Sequence, residues 1–106
     1  MAENEPGQFR VICAGKELDY LKILAEKAVR LGIGDSFLAE LKAVEGRLSH
    51  EPLTWGDPLY PLRQLGLFMY RGLGSIFFVH YAVDSEKRLV YVKEFKIRPG
   101  HALEHD

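Results

Sequence analysis

Two apolar segments, Ile76–Val83 (IFFVHYAV) and Leu89–Ile97 (LVYVKEFKI), are separated by little more than Asp84-Ser85-Glu86-Lys87. A connection that short forces two strands to lie side by side and antiparallel. A third run, Leu67–Arg71, leads into them through Gly72-Leu73-Gly74, a second turn. The C-terminal half of the chain is therefore expected to be a three-stranded antiparallel meander.

The N-terminal half follows a different period. Gln8–Cys13 alternates loosely and stops at Ala14-Gly15, as a short strand does. Over Lys16–Leu31 the apolar residues Leu18, Leu21, Leu24, Ala25, Ala28 and Leu31 form the stripe of an amphipathic helix. Gly32 stands where a helix-ending glycine belongs. Asp35 or Ser36 is placed to cap a second helix, whose stripe is Phe37, Leu38, Leu41, Val44 and Leu48 and which Pro52 ends. The short GIGDS link implies an antiparallel helix pair. Pro52–Gln64 carries three prolines and a Gly-Asp-Pro, and reads as a packed loop burying Trp55, Leu59, Tyr60 and Leu62. The expected order is β-α-α-β-β-β: an α+β fold, a helical hairpin on a small antiparallel sheet. Its 106 residues suit a single domain, with flexible ends at Met1–Gly7 and His101–Asp106.

Regular pairing through the Asp84–Lys87 turn sorts the strand residues into two faces. Phe77, Val79, Tyr81 and Val83 join Val90, Val92, Glu94, Lys96 and Arg98. Ile76, Phe78, His80 and Ala82 join Leu89, Tyr91, Lys93, Phe95 and Ile97. Both sets are largely apolar, and a helix pair covers only one. The other must be covered by the 50–64 segment, by the C-terminal tail or by another molecule, which makes it a binding surface. Phe78, His80, Tyr91, Lys93 and Phe95 are its candidate partner-contacting residues.

Net charge is −1, so the chain is no polycation. Residues 62–101 nevertheless hold seven Lys/Arg against three acids, a distribution that admits a local anionic partner. No apolar run approaches a membrane span, the acidic MAENEPG start is unlike a signal peptide, and a lone Cys13 permits no internal disulfide. A cytoplasmic location is the expectation. His50, His80, His101 and His105 lack metal-ligand spacing, and Gly72-x-Gly74 precedes no helix, so no metal or cofactor is assigned.

The element order resembles that of the RelE/ParE toxin superfamily, together with GDPL before the sheet, MYRGLG leading into an aromatic central strand, and VHYAVD before the last turn. The resemblance spans nearly the whole chain. It implies a small toxin of a type II toxin–antitoxin module, held by an antitoxin that wraps it. Such toxins cleave mRNA on the ribosome or poison gyrase. The mRNA-cleaving members gather cations on the open sheet face. Their arginine three residues before the central-strand tyrosine corresponds to Phe78, counted from Tyr81, so cleavage is expected to be weak at most. The basic residue ending the last strand corresponds to Arg98, with Lys96 beside it. The later acid/base residue corresponds to His101, and Arg71 offers a further cation.

RNA cleavage needs a base, an acid and cations for the phosphorane charge. Glu94 and His101 are the candidate base and acid, and Arg71, Lys96 and Arg98 the candidate cations. Glu94 equally suits a surface ion pair with Lys96, and His80, inside an apolar strand, suits a structural role. Three readings stay open: a toxin, active or attenuated; a non-catalytic module binding a protein or a second copy of itself; and an independent small enzyme. Lys96 and Arg98 are expected to rim a protein-partner site, with Glu104 and Asp106 of the tail competing for them against phosphate.

Overall fold

The computed structural model describes residues 8–104. Strand β1 (Arg10–Cys13) runs into helix α1 (Gly15–Arg30), which Gly32 ends in the left-handed region at φ 79°. Helix α2 (Gly34–His50) turns back against it. Neither Asp35 nor Ser36 caps α2: the helix begins one residue before Asp35, with Ile33 at the cap position and no side-chain cap bond. Asp35 instead sits in the first turn, where its charge suits the helix dipole.

The largest correction lies in Pro52–Gln64. The segment is regular for most of its length. Pro52–Trp55 forms one helical turn, α3, with proline at a position that needs no N–H. Strand β2 (Asp57–Leu62) follows and pairs antiparallel with β3 (Leu67–Leu73). Prolines 58 and 61 are tolerated because β2 is an edge strand, and a bulge between Pro58 and Tyr60 takes up Leu59. Leu59 and Tyr60 stay exposed at this edge. Strands β4 (Phe77–Asp84) and β5 (Leu89–Ile97) complete a five-stranded sheet of order β1-β5-β4-β3-β2. The β1–β5 pair is parallel and the rest are antiparallel. The β3–β4 turn falls at Gly74-Ser75-Ile76 rather than at Gly72-Leu73-Gly74.

One face of the sheet is sealed by α1 and α2. Leu21, Leu24, Ala28, Phe37, Val44 and Leu48 pack against Phe77, Val79, Tyr81, Val83, Val90, Val92, Phe95 and Ile97. Trp55 of α3 stacks on Tyr81, which stacks in turn on Tyr70. Gly72 is required beneath Trp55, since a Cβ there would lie 2.2 Å from the indole ring. The tail folds onto the same side: Pro99-Gly100 turns the chain, Leu103 is buried, and its carbonyl accepts a bond from Lys27 Nζ on α1. His101–Glu104, expected to be a free end, have defined contacts in this structure. Met1–Gly7, His105 and Asp106 lie outside the described residues.

Among the described residues, Glu17 of α1 is the one buried charged side chain, 9% exposed. Its Oε1 accepts the backbone N–H of Phe95 at 3.0 Å. The parallel partner β1 pairs only as far as Val92, so the carboxylate serves a β5 donor beyond its reach. Glu17→Ala should therefore cost about 1–3 kcal/mol, the penalty for a buried unpaired donor. Glu17→Gln, which keeps an acceptor, should recover most of it. Urea midpoints of the two variants check this.

Candidate functional site

The helices leave the second sheet face uncovered, and the 50–64 segment reaches it only at its end, where Leu62 lies beside Ala82 and Tyr91. Its composition differs from the expectation because β5 is not regular. Near the turn the pairing is as read from the sequence, with Val83 opposite Val90 and Tyr81 opposite Val92. The next pair is His80 with Glu94, so Lys93 is an extra residue. This β-bulge reverses the facing of everything after it. Phe95 and Ile97 turn inward and are 7% exposed, while Lys93, Glu94 and Lys96 point to solvent. Phe95 is thus core and cannot belong to a partner face. Glu94 and Lys96 are not on the helix-covered side but on the open one.

The consequence is a set of cross-strand rows. Arg71 of β3 lies opposite His80 of β4, which lies opposite Glu94 of β5. Leu73, Phe78 and Lys96 form the adjoining row. The His80 Nδ1 is 3.6 Å from Glu94 Oε1, with both side chains in contact with solvent. The Arg71 guanidinium sits 5.8 Å from the Phe78 ring centroid, within cation–π range. Phe78 and His80 are neighbours along the strand, ring centroids 6.3 Å apart. β4 and β5 thus contribute a neighbouring imidazole and carboxylate, and β3 a cation beside them.

Arg98 follows β5 and is tied down: its Nη1 donates to the Gly74 carbonyl at 3.1 Å, bracing the β3–β4 turn. Glu40 of α2 braces the same turn, accepting from the Ser75 hydroxyl and the Ile76 N–H. His101 does not join Glu94. Its Nδ1 accepts the Leu103 N–H within the turn that carries the tail onto α1. Glu104 accepts the Gly100 N–H at 2.7 Å, so it is engaged in the same turn.

The residue that sequence reasoning misplaced is Glu94, whose pairing with His80 on the open face depends on the bulge. A trace of it is visible in VYVKEFKI, where the apolar alternation slips by one position between Val92 and Phe95. Cys13 borders an apolar groove with Leu18, Leu38 and Leu41 on the opposite side of the molecule. Its thiol is raised above the ordinary value, first by burial and then by the Glu17 charge, which argues against a nucleophilic role. Among the described residues no cluster of His, Cys, Asp and Glu could hold a metal ion. No described helix is long and apolar enough to cross a membrane.

No family model and no curated protein matches the sequence. Among solved structures, the chain is similar to one from the archaeal RelE–RelB complex of Pyrococcus horikoshii OT3. The match has a TM-score of 0.63 at 18% identity and covers 88% of this chain and 98% of the other. At that identity the likeness speaks for the fold alone. The fold is RelE-like, α+β, with helices packed on a mixed five-stranded sheet.

Proposed function

We propose that the protein is the toxin-like component of a type II toxin–antitoxin pair, with its open sheet face as the surface that engages RNA. The observation that carries this reading is the bulge at Lys93. It places Glu94 and Lys96 on the uncovered face with His80 and Arg71, where a phosphodiester meets an acid/base pair and cations together. The RelE-like fold supports it, and the structural neighbour, being a RelE–RelB complex, supports a protein partner that holds the toxin in check.

The chemistry that fits is transesterification by the ribose 2′-hydroxyl. The Glu94 carboxylate takes the 2′-hydroxyl proton, and O2′ attacks phosphorus. The P–O5′ bond breaks, and the His80 imidazolium protonates the leaving oxygen. Arg71 and Lys96 offset the charge on the phosphorane oxygens. The products are a 2′,3′-cyclic phosphate and a free 5′-hydroxyl. Cleavage is slow in this proposal, because Phe78 stands where the mRNA-cleaving members carry an arginine.

Induced expression in a bacterium tests the reading. Growth arrest is expected, and the double change His80→Ala plus Glu94→Ala should relieve it. The cleavage rate on RNA should fall by about 10²–10⁴, as for loss of a positioned acid or base. The second reading, a binding-only module that docks a protein or a second copy of itself, is favoured by the same Phe78. It predicts arrest, or none, that is indifferent to His80 and Glu94.

A further inference from the structure

Two residues along β4 from His80, the open face hollows into a pocket of about 330 Å³. Ala82 forms its floor, Tyr91 and Leu67 its walls, and Leu65 a rim that is 68% exposed. Lys93, the bulge residue, stands at its mouth with Lys87. Asp84 also borders it. Its Oδ1 accepts the Lys87 N–H at 3.0 Å, which leaves Oδ2 open to a donor.

These features have one chemistry in common. An apolar-lined pocket beside an aromatic ring can take a planar heterocycle. Two lysines at its mouth take the phosphates on either side, and a lone carboxylate oxygen takes an N–H donor. The step from Ala82 to His80 is about 7 Å of strand, so an occupant of the slot reaches the acid/base pair through its own sugar–phosphate link. We propose that this pocket seats one unpaired nucleobase of the RNA strand, packed against Tyr91, and that Asp84 favours bases with an exocyclic amine, cytosine and adenine, over uracil. The inference rests on the RNA reading given above and deepens it by assigning where a base is read. Uracil presents carbonyl oxygens on either side of its one N–H, and these face a carboxylate unfavourably.

Labelled short oligomers of 2′-O-methyl C, A or U, which cannot be cleaved, test it by fluorescence anisotropy at fixed salt. The C and A oligomers should bind roughly tenfold tighter than U, as expected for one hydrogen-bonded base contact. Tyr91→Ala should weaken binding to all three by roughly 5- to 150-fold, the range for a lost base–aromatic stack. Leu65→Glu, at an exposed position that leaves folding untouched, should weaken it too by closing the rim with a negative charge. Asp84→Asn keeps the acceptor for Lys87 and replaces Oδ2 with an amide donor, so the preference should move toward U. If binding falls in Arg71→Ala but ignores Tyr91→Ala and Leu65→Glu, the pocket is not a base site, although the face still binds RNA. If the folded wild type binds no oligomer of any base, the pocket and the RNA reading fall together.

Discussion

Phe78→Arg should raise the RNA cleavage rate by about 10²–10³, the value of one well-placed charge-stabilising donor, about 2.7–4 kcal/mol. Phe78 lies opposite Lys96 and Leu73 in the row beside His80 and Glu94, so in the proposed reaction a guanidinium there would share the phosphate with Arg71. The position is half-exposed, and replacing the ring removes a surface contact with Arg71 rather than core packing. Phe78→Leu is the control, since it removes the ring without adding charge and should leave the rate low. The measurement is single-turnover cleavage of a labelled RNA with saturating protein, which separates chemistry from binding. A folded Phe78→Arg variant that binds RNA more tightly but cleaves no faster would mean that missing charge is not what limits the reaction.

The largest expected loss of stability belongs to Tyr81. Its hydroxyl donates to the Pro52 carbonyl at 2.6 Å and accepts the Gly56 N–H at 3.1 Å, both within the interior. These two bonds pin α3 and the start of β2 to the central strand. Tyr81→Phe strands both backbone groups, at about 1–3 kcal/mol each, and each kcal/mol lowers Tm by about 4–8 °C in a chain this size. Burial pushes the Tyr81 phenol well above its ordinary value of 10.0. The sign follows. The folded state holds this proton more tightly than the unfolded chain. The stabilisation is thus complete below pH 10 and declines as the pH rises above it, where only the unfolded chain ionises readily. The gap in urea midpoint between wild type and Tyr81→Phe should be constant from neutral pH to about pH 9 and should narrow beyond pH 10. A gap that widens there would reverse the assignment.

How much of this was legible in advance depended on how local the cause was. The helix pair and strands β3 to β5 follow from periodicity and turn residues, which are properties of neighbouring positions. Strand β2 was hidden because proline argues against a strand unless the strand is known to be at an edge, and edges are set by the whole sheet. The same holds for Phe95. Its facing depends on whether β5 pairs regularly with β4, and one bulged residue overrode the alternation on which the reading was based. The His80–Glu94 pair was lost with it. His101 failed for another reason: Gly100 takes a φ of 87°, and the turn it permits sends the tail toward Leu103's apolar seat on α1 instead of along the strand. Regular pairing sorts Lys96 with Phe77 and Val79, and the bulge moves it beside Phe78 on the open face, in the row next to Arg71.

The parallel pairing of β1 with β5 bears on how the molecule is made. Arg10 and Leu89 are partners, so the first strand off the ribosome waits for the last before it has a neighbour. The helical hairpin and the β2–β4 meander can collapse during synthesis, but β5 enters between β4 and β1 only at the end. Glu94, Lys93 and Lys96 all travel on that strand. The open face with its His80–Glu94 pair is therefore not assembled until β5 has joined the sheet.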